Sequence, residues 1–169
     1  MKEIEKEFYA HLGLLSVRFA MVEYNLSIIL GKLFGTDDDL ISVTLIEKNT
    51  LSQNVEMLKK INKIRSCHEC EINNIIELVG RIKSNRNLFI HGIWGCPFES
   101  GNDIKIICDE RRIRYKYEKD INGKVIRENW EFNRNHILKL SDIKKQIDSI
   151  DCILLLQNVL IEKLKTEFF

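Results

Sequence analysis

Residues 4–33 read IEKEFYAHLGLLSVRFAMVEYNLSIILGKL. The apolar residues Phe8, Leu12, Leu15, Phe19, Val22, Leu26, Ile29 and Leu33 follow Ile4 at steps of three and four. That spacing lays them along one stripe of a long helix, whose apolar face needs partners. Gly35 suits a left-handed helix end. Thr36 with Asp37, Asp38 and Asp39 offers an N-cap for a second helix, with acids where the helix dipole favours them. Thr50-Leu51-Ser52-Gln53 has the form of a capping box, opening a helix with Val55, Leu58, Ile61 and Ile64 after a break near Asn49. Ser66 and Glu69 are spaced for another, ahead of a helix that carries Ile72, Ile75, Val79, Ile82 and Phe89 and ends near His91-Gly92.

Beyond Pro97 the period changes. Ile104 to Ile107, then Ile113, Tyr115 and Tyr117 alternating with Arg112, Arg114 and Lys116, have strand periodicity. Asn122-Gly123 signals a hairpin turn before a strand around Val125 to Phe132. Ser141 is placed to cap a last helix with Ile143, Ile147, Ile150, Leu154, Ile161 and Leu164. The expected fold is therefore a single domain over residues 1–169, mostly α: an antiparallel helical bundle with a β-hairpin inserted at about 103–133, before the C-terminal helix.

An apolar fraction of 44% with 30% charged residues in 169 is enough for one packed core and too apolar for disorder. Twenty-six basic against twenty-five acidic residues leave a net charge of +1, so the overall field does not steer the chain to nucleic acid, and any RNA contact must be local. The longest uninterrupted apolar runs, such as Cys152 to Leu156, fall far short of a bilayer span, so no membrane association is expected. The acid-containing amino terminus lacks a signal core, which places the protein in the cytoplasm, with its five cysteines as thiols. Cys67 and Cys70 have metal-like spacing, but one such pair without a second falls short of a tetrahedral set; neither metal nor cofactor is expected.

The chemistry-bearing stretch is Arg86-Asn87-Leu88-Phe89-Ile90-His91-Gly92. At 100° per residue Arg86 falls within the arc of Ile75, Val79, Ile82 and Phe89, an apolar stripe where a guanidinium needs an anionic partner or a cleft. Asn87 and His91 are four apart and share a face. Arg86 and His91 are five apart and diverge by roughly 140° on an ideal helix. Two copies of the helix about a two-fold axis would bring both pairs into one groove, so a homodimeric site is expected.

This stretch resembles the motif of the HEPN superfamily (higher eukaryotes and prokaryotes nucleotide-binding domain), whose ribonucleases carry arginine, a polar residue often asparagine, a few more residues, then histidine. Arg86, Asn87 and His91 fit it, and so do the His91-Gly92-Ile93-Trp94 continuation, the long first helix containing Glu23 and the helix-end position. The resemblance covers roughly the first hundred residues and the last helix. It implies a metal-independent endoribonuclease in which the RNA 2′-hydroxyl attacks the adjacent phosphate. Arg86 would hold the phosphate, Asn87 would orient His91 or the phosphate, and His91 would move protons, since imidazole titrates near neutral pH. It also implies a toxin-antitoxin or anti-phage defence setting, with a cognate antitoxin or regulatory protein as partner.

Each signal has a plainer reading. Arg86 and His91 could be an interfacial ion pair and a helix end cap, and the superfamily includes inactive modules that bind RNA, nucleotide or protein; a structural adaptor dimerising through this helix is a third reading. Glu23 either pairs with Arg86 or stays a solvated carboxylate. Arg111, Arg112, Arg114 and Lys116, interleaved with tyrosines, either grip RNA or form the solvent face of a strand. Trp94 either stacks on a base or packs in the core.

Overall fold

The fold is given by a computed structural model that describes residues 2–35, 44, 46, 48–110, 114–131 and 134–168. Among these, four helices enclose the core: α1 (Glu3–Phe34), α2 (Leu51–Arg65), α3 (Glu69–His91) and α4 (Leu140–Phe168). The mostly helical expectation holds. The stripe read from residues 4–33 is the buried face of α1, where Phe8, Leu15, Phe19, Val22, Leu26, Ile29 and Leu33 are fully or almost fully covered. Gly35 ends α1 at φ 85°, its N–H directed at the carbonyls of Gly31 and Lys32. The cap read at Thr36 lies outside the described residues.

The Thr50 capping box forms as expected: Oγ1 accepts from the Gln53 N–H at 3.3 Å, and Gln53 Oε1 accepts from the Thr50 N–H at 2.7 Å. The box expected at Ser66 does not form. Ser66 closes α2 instead, at φ 52° with its N–H on the Asn62 carbonyl, and His68, also at φ 52°, precedes α3 without a side-chain cap. An N-cap serine needs extended backbone, and a left-handed one cannot present its hydroxyl to the next turn. Two positive-φ residues two apart make a tight corner between helices, at about 1 kcal/mol or more each.

Helix directions correct one part of the expected architecture. From Phe8–Trp94 through Phe19–Phe89 to Glu23–Arg86, numbers rise on α1 as they fall at the other end, so α1 and α3 are antiparallel. Asn85–Gln146 and Lys163–Glu71 set α3 and α4 antiparallel too. The pairs Lys144–Glu7, Arg18–Asp151, Gln157–Val22 and Asn25–Asn158 rise together, so α1 and α4 run parallel. The β region leaves the bundle from the end of α3 and returns at that same end. Consequently α4 opposes α3 and accompanies α1.

That β region spans Ile93–Lys139, wider than the hairpin expected at about 103–133, and forms two sheets. Strand β3 (Asp103–Glu110) is central in the first; β1 (Ile93–Trp94) and β2 (Phe98–Ser100) share one of its edges, and β6 (Arg134–Lys139) takes the other, all antiparallel. Ile106 and Cys108, on one face of β3, are buried, whereas Ile107 lies opposite Ile137 on the outer face with both exposed. The second sheet is the hairpin β4 (Arg114–Lys119) and β5 (Val125–Glu131). Its turn is longer than the two-residue form that Asn-Gly suggests. The Asp120 carboxylate accepts from the N–H groups of Asn122 and Lys124, and Gly123 takes φ 81°.

Two joints hold sheet to helices. Ser141 is not the cap residue of α4, which starts at Leu140; its hydroxyl and its N–H both donate to the Asp103 carboxylate at the start of β3, which holds that carboxyl below its usual range. At the other joint Trp94 stacks on Phe89 with centroids 5.8 Å apart and an interplanar angle of 5°, so its ring packs against the core. Gly92 has φ −70° and is not a left-handed cap; a β-carbon there would collide with the Cys108 sulfur and the Leu88 carbonyl, so glycine is required for close approach.

By length and composition alone α1 is long and apolar enough to cross a membrane, with mean hydropathy 1.4 over an 18-residue window, a pattern that a buried core helix shares. Two of its charges are paired within the fold, Arg18 with Asp151 and Glu23 with Arg86.

Candidate active site

A cavity of about 500 Å³ opens where the last turns of α3, the first turn of α2 and the end of β3 meet. Helix α3 supplies Lys83, Arg86, Asn87 and His91; α2 supplies Thr50, Leu51 and Ser52; β3 supplies Glu110. All three residues read from the sequence as the site, Arg86, Asn87 and His91, therefore line one cavity in a single chain. Lys83, Asn87 and His91 follow at steps of four, a single ridge of the helix, and the long Arg86 side chain reaches the cavity from beside it.

The arginine is anchored from α1. Arg86 Nε donates to Glu23 Oε1 at 2.8 Å, with side-chain exposures of 23% and 31%, too covered for a freely hydrated pair. Of the two readings of Glu23, pairing is the one observed. Arg86 Nη1 donates to Asn87 Oδ1 at 3.3 Å, and Nη2 makes no hydrogen bond among the described residues. One edge of the guanidinium is thus fixed by protein, and its remaining donor is available to an anion. In this structure Asn87 contacts the arginine and makes no hydrogen bond to His91.

His91 is the last residue of α3 and is exposed; its ring makes no hydrogen bond to any described residue. Phe89, two residues earlier, is buried between Phe19 and Trp94 and fixes the helix end from below. Across the cavity Glu110 Oε2 lies 3.2 Å from His136 Nε2, with exposures of 18% and 35%. Beside it, burial and the charges of Asp109 and Glu110 push the Cys108 thiol up to about 11.

Two charged wall residues were missed in the sequence. Lys83 had a signal, since it shares the i, i+4 ridge with Asn87; Glu110 had none, since only the pairing of β3 brings it here. Among the described residues no group of three or more His, Cys, Asp or Glu is placed to hold a metal ion. Arg111 and Arg112 of the basic run lie outside the described residues; further along the hairpin Tyr115 and Tyr117 are exposed with centroids 5.5 Å apart, and the Lys119 ammonium sits 5.2 Å over Tyr117.

No protein-family model, curated protein or solved structure matches this chain. An open guanidinium edge, a lysine and an imidazole facing one cavity suit an anionic ester.

Proposed function

We propose that the chain is a metal-independent endoribonuclease of the HEPN type. The observation that carries this reading is the anchored Arg86: Glu23 holds one edge of its guanidinium, while Arg86, Asn87 and His91 line the same cavity. In the proposed reaction the 2′-hydroxyl attacks the adjacent phosphorus, the 5′-oxygen leaves, and a cyclic phosphate results. Arg86 holds the non-bridging oxygens and gains strength as charge builds on them, a type of contribution commonly worth about 10²–10³ in rate. His91 transfers a proton to or from a reacting oxygen. RNA is the substrate. The motif resemblance extends the proposal to a cytoplasmic homodimer in a toxin-antitoxin or anti-phage role, restrained by a cognate protein.

The test uses wild type, Arg86→Ala and His91→Ala, incubated with mixed RNA in excess EDTA, with product ends mapped. Only wild type should cut, leaving cyclic phosphate or 3′-phosphate ends, and chelation should not matter. Cleavage that persists in both variants, or that stops on chelation, rejects the proposal.

A further inference from the structure

A phosphodiester that cleaves by 2′-hydroxyl attack requires two proton transfers: one off the nucleophile, one onto the leaving oxygen. One imidazole per cavity can serve only one of them at a time. The homodimer expected from the sequence supplies the second group across a two-fold axis. The cavity already contains another candidate within the same chain, the Glu110 carboxylate at the end of β3, facing the same space as His91.

We infer that Glu110 is the general base of this site and His91 its general acid, so that one chain holds a complete acid–base pair. The inference rests on the ribonuclease reading above. Two features support it. Glu110 is mostly covered, with its Oε2 held by His136 at 3.2 Å, so the carboxylate is oriented before any ligand arrives. Its wall is opposite in charge to the α3 wall, where Lys83 and Arg86 stand with His91. A phosphate held at the cationic wall of this cavity of about 500 Å³ would turn its ribose hydroxyl toward the carboxylate. Among the described residues, the charged and titratable groups around Glu110 include His136 on β6, Lys83, Arg86 and His91 across the cavity on α3, and Cys108 and Asp109 on its own strand.

The step balances within these groups. The 2′-oxygen passes its proton to Glu110 and forms the new bond to phosphorus. The bond from phosphorus to the 5′-oxygen breaks, its electron pair goes to that oxygen, and His91 in its imidazolium form protonates it. The products are a 2′,3′-cyclic phosphate and a free 5′-hydroxyl. Proton exchange with water resets both groups. His136 is a positioning residue in this scheme.

The discriminating experiment changes the leaving group. An RNA oligonucleotide is made with sulfur in place of the bridging 5′-oxygen at a site that wild type cuts, because a thiolate leaves without a proton. His91→Ala should regain at least about 10-fold in rate on the sulfur substrate relative to oxygen. Glu110→Gln should lose roughly 10²–10⁴-fold on both. Its pH–rate profile should also lack the acidic limb, whereas His91→Ala should lack the alkaline one. Glu110→Asp keeps the charge and should retain the acidic limb at reduced kcat, which separates loss of the base from loss of fold; thermal melts of all variants accompany the assay. Mixing His91→Ala with Glu110→Gln should restore nothing when both groups belong to one chain. Glu110→Gln within about threefold of wild type, sulfur rescue equal to that of His91→Ala, or recovery on mixing overturns the inference while leaving the ribonuclease reading intact. Failure of wild type to cut any RNA removes both.

Discussion

The two walls of the cavity are held in place by different physics. The α3 wall stands on the core: Ile82 and Phe89 are buried beneath it, Trp94 stacks on Phe89, and Glu23 ties Arg86 to α1. The β3 wall ends at the margin of a small sheet, where Glu110 leans on His136 across a strand pair and only Ile106 and Cys108 of the strand are fully covered. Apolar burial resists change in pH and salt, whereas a half-covered polar pair responds to both. Under the proposed ribonuclease reading, the helical wall fixes where the phosphate sits. The strand wall should govern how well the reaction proceeds once it is there.

That contrast breaks first at Phe89. Phe89→Ala should cost about 3–5 kcal/mol in urea unfolding, because it empties the space between Phe19 and Trp94 and removes the floor under His91. Gly92→Ala attacks the seam where the walls join and should cost about 1–3 kcal/mol, since a β-carbon must push back the Cys108 sulfur and the Leu88 carbonyl. Cys108 tests the same seam by titration. Its thiol is raised from 9.0 to about 11, so the native state retains that proton more tightly than the unfolded chain. The corresponding stability is fully present below pH 9 and is lost as pH rises through about 11. Wild type should lose on the order of 2 kcal/mol over that window relative to Cys108→Ala, read from denaturation midpoints. The smallest effect should come from Glu23→Gln, which leaves a neutral acceptor for Arg86: RNA cleavage should fall about 3–10-fold, chiefly through KM, with unfolding shifted by roughly 1 kcal/mol or less.

What could be read from the chain alone follows the range of the interactions. The α1 stripe, the Thr50 box and the helix end at His91 depend on neighbours within four residues, so their signals are intact in the sequence. The hairpin around Gly123 was legible, its longer turn less so, because Asp120 competes for the same N–H groups. Strands β1 and β2 are two and three residues long, too short to show a period, and exist because β3 offers an edge. Ser66 misled because the same residue types that open a helix also tolerate the left-handed turn that closes one. Arg86, Asn87 and His91 were found as a local motif. Glu110 could not be, since its place depends on strand register and on the joint at Gly92.

The shared direction of α1 and α4 has a mechanical consequence. In a parallel pair the beginning of α1 and the end of α4 lie at opposite ends of the bundle, separated by about 40 Å along α4's 29 residues. Tension applied at residues 3 and 168 therefore loads the interface lengthwise, and every side-chain contact along it must slip at once. Tension applied at residues 3 and 140, which are near one end, peels the same interface open a turn at a time. Pulled by optical tweezers, the first geometry should yield at a distinctly higher force than the second.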